Sequence, residues 1–364
     1  MIELFIRYPA LKERLSHVPL GNFPTPIHKL DNLGSDMGSD SIYIKRDDRA
    51  GRLYGGNKVR KLEFILGHAL ETKVKKVMTF GAAGSNHALA TAIFAHSVGL
   101  KSISMLFSQP NARYVQHNLL ASHFYDAELK HYPGKNILIL ATFFELLRHR
   151  VRYGYFPRVI PPGGSSPLGT VGFVNAALEL KKQVEERSMP EPDYIYVPLG
   201  TMGTAVGLLL GTVAAGLKSK IAAVRVVDSG MANIKKAEDL FNKTNILLHS
   251  MDPSFELYRF PRERIIIEKD FFGERYALFT QEAMEAVCLI KDREDIDLEG
   301  TYTGKTLAAL ISDCKGKSLN GKVILFWNTH NSVDLTDIVS KIDYRELPSG
   351  FHPYFEKGFQ PLDK

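Results

Sequence analysis

The stretch Gly55-Gly56-Asn57-Lys58-Val59-Arg60-Lys61 joins a paired-glycine turn to two lysines three residues apart. Val59, Leu62, Ile65, Leu66, Ala69 and Leu70 then recur on one stripe, so the spacing predicts a helix with Lys58 in or beside its first turn and Lys61 on the same side. A helix N-terminus carries partial positive charge, and two ammonium groups placed there repel each other, which favours loss of a proton from one of them. A neutral lysine attacks an aldehyde, and a charged one holds a phosphate. The same residues also read as a basic, solvated first turn, and the choice depends on the rest of the chain.

Three other loops carry suitable groups. Gly200-Thr201-Met202-Gly203-Thr204 joins a buried strand to a helix, aiming backbone N–H groups and hydroxyls at one spot, as an anion site or as an ordinary turn. Gly84-Ser85-Asn86-His87 opens another helix with a hydroxyl, an amide and an imidazole, suited to a carboxylate or a ring oxygen, or to simple capping. Gly300-Thr301-Tyr302-Thr303-Gly304-Lys305-Thr306 ends like a nucleotide P-loop, but only three residues separate its glycines and no buried strand precedes it, so a nucleoside triphosphatase is not expected. Tyr302 reads as a positioned hydroxyl or as a turn tyrosine packed by its ring. The mixed charges of Lys45-Arg46-Asp47-Asp48 read as a solvated strand end.

The elements that must position these groups alternate. Ser41 to Asp48 is a predicted strand, ending in charge, that feeds the lysine helix; Val77–Phe80, Ser102–Phe107 and Glu128–Tyr132 are strands separated by helices at Ala88–Val98, Tyr114–Phe124 and Ile137–Val151. After Val159-Ile160-Pro161-Pro162-Gly163-Gly164-Ser165-Ser166-Pro167, the richest Pro/Gly/Ser stretch and an expected domain crossing, the pattern resumes with a helix at Val171–Glu186, strands at Tyr194–Val197 and Ala222–Val227, helices at Glu282–Ile290 and Thr306–Ser312, and a buried strand at Val323–Phe326. Strands separated by helices imply parallel pairing. Residues 1 to 40 read as an irregular arm, 231 to 268 show no dominant period, and the segment from Leu347 reads as irregular.

The 364 residues, 45% hydrophobic, suffice for two or three domains, and no apolar run is long enough for a bilayer span, so no membrane association is expected. Cys288 and Cys314, without CxxC or histidines at ligand spacing, predict neither a disulfide framework nor a metal site. The net charge of +6 without a long basic block argues against nucleic-acid binding. The N-terminal residues lack a signal-peptide pattern, so a cytoplasmic location is expected.

Taken in order, the lysine helix, the Ser85-Asn86-His87 loop, the Gly200–Thr204 turn and the Tyr302-Thr303-Gly304-Lys305 segment resemble the pyridoxal-phosphate enzymes of the tryptophan synthase β fold, also called fold type II. Within that group the chain is most similar to the branch holding 1-aminocyclopropane-1-carboxylate deaminase and D-cysteine desulfhydrase, over roughly Pro24 to Val333. The resemblance implies an α/β fold with two open, twisted, mostly parallel sheets and helices on both faces. A large cofactor-binding domain would comprise 1–59 and 165–364, with a small domain, 60–164, inserted in it. A pyridoxal 5'-phosphate cofactor, a small amino-acid substrate and a homodimer are implied as well.

By the same resemblance, Lys58 would form the Schiff base and move protons at Cα, while Lys61 and the turn Thr201, Met202, Gly203 and Thr204 would hold the phosphate. Asn86 would bond the cofactor ring hydroxyl, Ser85 and His87 would face the substrate beside it, and Tyr276 and Tyr302 would lie near the amino acid. Thr303 and Thr329 follow the desulfhydrase-like pattern of small hydroxyl residues, where the deaminase pattern has glutamate and leucine. A hydroxyl leaves the pyridine nitrogen closer to neutral than a carboxylate does, which suits β-elimination better than ring opening. The implied reaction is α,β-elimination of D-cysteine or a relative to pyruvate, ammonia and sulfide. The deaminase activity is the alternative, and a cofactor-binding protein without efficient turnover is a third reading. That third reading comes from two departures, Ala88-Leu89 after the histidine and His330-Asn331 in place of two glycines; a further departure, Gly84 where glutamine is usual, bears on the substrate carboxylate site.

Overall fold

The computed structural model describes residues 2–363. In chain order the strands are β1 (Ile27–Lys29), β2 (Ile42–Lys45), β3 (Lys76–Ala82), β4 (Lys101–Phe107), β5 (Glu128–Tyr132), β6 (Arg158–Val159), β7 (Tyr194–Leu199), β8 (Lys220–Arg225), β9 (Ile265–Glu268) and β10 (Ile324–Trp327). The α-helices are α1 (Glu3–Arg7), α2 (Leu11–Arg14), α3 (Asp31–Met37), α4 (Lys58–Glu71), α5 (Asn86–Ser97), α6 (Arg113–Phe124), α7 (Lys135–Tyr153), α8 (Pro167–Glu185), α9 (Gly203–Ala214), α10 (Ile234–Met251), α11 (Gln281–Glu294), α12 (Thr303–Lys315), α13 (Thr336–Val339) and α14 (Pro353–Glu356). The two mostly parallel sheets and their helices make this a fold type II α/β architecture.

The chain forms two compact units, Met1–Phe64 with Ser165–Ser332, and Ile65–Gly164 with Val333–Lys364. The first boundary thus falls inside α4. The segment from Val333 groups with the second unit, whereas the sequence reading assigned all of 165–364 to the large domain.

In the first unit the sheet order is β1-β2-β10-β7-β8-β9, parallel except for the antiparallel β1–β2 pair. From β7 the strands step outward to β8 and β9, and the chain then returns to place β10 on the other side of β7. Such a reversal leaves a crevice beyond the carboxyl ends of the central strands, where ligands bind in open α/β sheets. Trp327, ending β10, pairs in register with Lys45, ending β2, so the loops leaving these strands start side by side. Val197, Leu199, Leu208, Leu325 and Phe173 belong to the main core of this unit. The helices α4 and α8 touch closely at Gly172, where a Cβ would lie 2.1 Å from the Arg60 carbonyl oxygen. Only glycine permits that approach.

The second unit holds the parallel sheet β5-β4-β3-β6. Its C-terminal segment packs on the unit's own loops: the Gln109 N–H donates to the Tyr354 hydroxyl at 2.9 Å, and Asn111 donates to the Tyr354 carbonyl at 3.0 Å.

Three expectations are corrected, the first being that the segment from Leu347, read as irregular, holds the short helix α14. The N-terminal arm contains α1, α2, β1 and α3, elements too short to show a period. The run Lys45-Arg46-Asp47-Asp48 is buried throughout. Lys45 and Asp47 are met inside the fold by Glu179 and Arg60, distant in sequence, and Arg46 pairs with Asp48 within the run at 2.7 and 2.9 Å.

Candidate functional site

The site of the first unit is built on the carboxyl ends of β2, β10 and β7. The glycine pair before α4 is a close-packing device. A Cβ on Gly55 would fall 1.9 Å from the Asp48 carbonyl oxygen, and one on Gly56, whose φ is +80°, 2.7 Å from the carbonyl oxygens of Thr329 and His330. The loop after β10 is tied to this turn, since the Gly55 N–H donates to Asn331 Oδ1 at 2.5 Å and the Asn57 N–H to the Thr329 carbonyl at 3.3 Å. Lys58 therefore leaves a clamped backbone. Its Nζ, half-buried, donates to Asn57 Oδ1 at 3.0 Å, and Asn57 Nδ2 donates to Thr204 Oγ1 at 3.0 Å. Burial lowers the Lys58 pKa to about 8, against the opposing charge of Glu299. An amine in that range is a competent nucleophile and proton carrier near neutral pH.

Lys61 is fully buried one turn further on, with Nζ 3.3 Å from Ser165 Oγ. Ser165 Oγ donates to Thr201 Oγ1 at 2.8 Å and accepts the Gly203 N–H at 3.1 Å. Met202 takes the left-handed conformation, φ +70°, and turns the chain into α9 without capping it by its own side chain. A Cβ on Gly203 would lie 2.7 Å from Ser165 Oγ and 3.0 Å from Lys61 Nζ, so this point suits a ligand oxygen and excludes a side chain. Burial and then the neighbouring Lys58 push the Lys61 pKa well below its ordinary value. A dianion would reverse that suppression, and a buried lysine, two threonines, a serine and a helix N-terminus are a phosphate's donor set. The residues fit the phosphate of pyridoxal phosphate, and the adjacent Lys58 fits its aldehyde.

Tyr276 and Tyr302 meet hydroxyl to hydroxyl at 2.6 Å, and a Cβ on Gly200 would lie 3.5 Å from the Tyr302 ring, so the pair borders the Gly200–Thr204 turn. Burial raises the Tyr276 pKa and keeps its phenol protonated. The backbone before α12 is organised by Glu299, whose carboxylate accepts the N–H groups of Thr301, Tyr302 and Thr303, each at 2.8 Å. Thr303 is fully buried, with its hydroxyl 3.2 Å from Glu299 Oε1. Thr329 is half-buried on the loop that clamps Asn57.

Beneath Lys58 and Lys61 lies a closed network of buried charge. Arg60 donates to Asp47 at 2.7 and 2.9 Å and to Glu179 at 2.9 and 3.0 Å. Lys45 donates to Glu179 at 2.6 Å, Thr25 Oγ1 donates to Asp47 at 2.8 Å, and the Trp327 indole donates to Asp47 at 2.7 Å. Burial alone would raise the Glu179 pKa, but Arg60 and Lys45 hold it at about 2. The network pins α4, α8, the arm and the ends of β2 and β10 to one another. It thereby fixes the direction in which α4 presents its two lysines.

Lys58, Lys61, Thr201 to Thr204, Tyr276, Tyr302, Thr303 and Thr329 thus share the first unit. Ser85, Asn86 and His87 belong to the second. There Ser85 caps α5 by accepting the Ala88 N–H at 3.2 Å, Asn86 Oδ1 accepts from Asn118 at 2.8 Å, and His87 is buried. Gly84 has a packing reason: a Cβ would meet the Tyr114 ring at 2.6 Å and Val115 at 2.8 Å. Asn57, Ser165, Glu299 and the Arg60 network were missed in the sequence. Asn57 had a signal in its place directly before Lys58, and Glu299 in its place one turn before Thr303.

A family profile described as pyridoxal-phosphate dependent enzyme matches residues 18–330. A protein of Pyrococcus horikoshii, provisionally named 1-aminocyclopropane-1-carboxylate deaminase, is 34% identical over 88% of this chain and 93% of its own length. A D-cysteine desulfhydrase of Klebsiella pneumoniae is 32% identical over 87% of this chain and 94% of its own. A crystal structure described as an ACC deaminase homologue superposes with a TM-score of 0.77 at 30% identity, covering 94% of this chain and all of the other. The chain therefore belongs to the pyridoxal-phosphate-dependent enzyme family.

Proposed function

We propose that the protein is a lyase that carries out α,β-elimination on a small amino acid, D-cysteine or a close relative, giving pyruvate, ammonia and sulfide. The observation that carries this reading is Lys58: a half-buried amine with its pKa lowered to about 8, adjoining an anion cradle formed by Lys61, Ser165, Thr201 and Gly203. Pyridoxal phosphate, when bound, supplies the electron sink that lets the Cα–H bond of an amino acid break. Lys58 takes the Cα proton, a role its pKa matches, and such general-base help is typically worth ~10²–10⁴ in rate. Lys61, Thr201, Met202, Gly203 and Thr204 hold the phosphate. Tyr276 and Tyr302 stand as a hydrogen-bonded phenol pair able to move a proton toward the leaving thiolate.

In this proposal Asn86 bonds the cofactor ring, and Ser85 and His87 bind the substrate. Thr303 and Thr329 place hydroxyls where a ring-opening deaminase would need a carboxylate and an apolar group. The relatives named D-cysteine desulfhydrase support the leading reading, and the archaeal relative supports cyclopropane deamination as the second. The homodimer and the cytoplasmic placement go with the proposal as expectations from the sequence. His330-Asn331, which with Ala88-Leu89 motivates the reading without turnover, has a framework role, because Asn331 holds Gly55 and the His330 N–H donates to Asn328.

The test is product analysis of the cofactor-loaded protein. Pyruvate with stoichiometric sulfide from D-cysteine is the expected result. Release of 2-oxobutyrate from 1-aminocyclopropane-1-carboxylate would favour the second reading. Neither product, with the cofactor's visible band intact, would overturn both.

A further inference from the structure

Helix α7, in the second unit, faces outward with apolar side chains. Ile137, Leu140, Phe143, Phe144, Leu147 and Val151 are each 50–80% exposed. At 100° per residue they fall within an arc of roughly 120° on one side of the helix. The opposite side is already used: Leu138 packs with Met78, Ile103 and Met105 of the sheet, and His149 is buried. The helix is thus apolar on both faces, which a solvent-facing helix is not.

We infer that this face of α7 is where a second copy of the chain docks, through antiparallel pairing of the two α7 helices across a two-fold axis. The inference rests on the homodimer part of the proposed function and adds its location. The area is sufficient. These six residues alone expose on the order of 700 Å², above the ~300–600 Å² of the largest patch on a typical monomer and near the ~800 Å² per partner of a standard interface.

The pattern is also self-complementary. Leu140 and Leu147 lie at equal steps on either side of Phe143-Phe144, so antiparallel helices would set Leu140 of one copy opposite Leu147 of the other and pair the phenylalanines. A two-fold interface requires this reciprocity. An anionic lipid surface would instead draw on outward cations beside the stripe. Arg148, next to Leu147, is held by Glu145 at 2.7 Å and Glu128 at 3.5 Å, while Arg150 and Arg152 lie over the rings of Phe156 and Tyr153. The rim's charge is directed back onto its own copy.

Sedimentation equilibrium of the cofactor-loaded protein tests this. The wild type should have the mass of two 40.7 kDa chains, and Leu140→Glu/Leu147→Glu should raise the dissociation constant at least 100-fold while keeping one cofactor per chain. A second variant does not depend on tolerance of buried charge. Phe144→Cys, in a background where the exposed Cys288 is replaced by serine, should cross-link to itself under mild oxidation. A wild type with the mass of one chain overturns both the dimer and its location. A wild-type dimer that persists in the glutamate variant and gives no cross-link overturns the location alone. Flotation of the wild type with anionic vesicles, lost in the glutamate variant, would reassign the face to lipid. None of these outcomes bears on the product analysis, which tests the chemistry separately.

Discussion

Lys58 and Lys61 are three residues apart and have different surroundings, from which different tasks follow. Lys58 is half-buried beside Asn57, and Lys61 is sealed behind Ser165 and the Gly203 turn. Replacing Lys61 with alanine should weaken cofactor binding by ~10–100-fold, the worth of one charge-assisted hydrogen bond, in an equilibrium titration. The visible band at saturating cofactor should survive. The lowered pKa of Lys58 gives a second expectation. Its neutral amine is the attacking form, so the rate of cofactor loading by the free protein should rise about tenfold per pH unit and level off above about pH 8. A rate flat from pH 6 to 9 would contradict the assignment. Both lysines were legible because glycine pairs, helical period and like charges are local features. Their burial was not, since it depends on the loop after β10 and on Ser165.

At the scale of elements, the Arg60 network joins α4, α8, β2 and β10, and its loss should be felt in stability before chemistry. Glu179→Gln breaks a buried pair, and such breaks cost ~3–5 kcal/mol. Denaturant unfolding of the cofactor-free protein should show that deficit at neutral pH. The folded pKa of Glu179 is depressed from 4.5 to about 2, so its stabilisation is present above pH 4.5 and is lost as pH falls from 4.5 through about 2. The wild type should accordingly lose stability over that window more steeply than the variant. The strand and helix alternation was readable because period 2 and period 3.6 are properties of the segments themselves. Lys45-Arg46-Asp47-Asp48 was misread because a charge run looks the same whether water neutralises it or, as here, Glu179 meets Lys45, Arg60 meets Asp47 and Arg46 pairs with Asp48. The arm was misread because four- to seven-residue helices are too short to show a period.

For the whole molecule, two units built from discontinuous segments share a single chain, and the first carries Lys58 and the proposed phosphate cradle. Binding of pyridoxal phosphate to the folded chain alone should raise the melting temperature, by the equivalent of ~2.7 kcal/mol at one hundred times the dissociation constant. Lys61→Ala should lose at least about half of that increment at the same cofactor concentration, given the ~10–100-fold weaker binding expected above. The family's fold was legible from four ordered motifs, each ambiguous alone. The grouping of Val333–Lys364 with the second unit was not, because it rests on contacts such as Tyr354 with Gln109 and Asn111 that leave no local pattern. The most direct measurement is borohydride reduction of the cofactor-loaded protein, followed by digestion and peptide mass spectrometry. A phosphopyridoxyl group on Lys58 is the predicted result; its recovery on Lys61, or on no lysine of α4, would contradict the account.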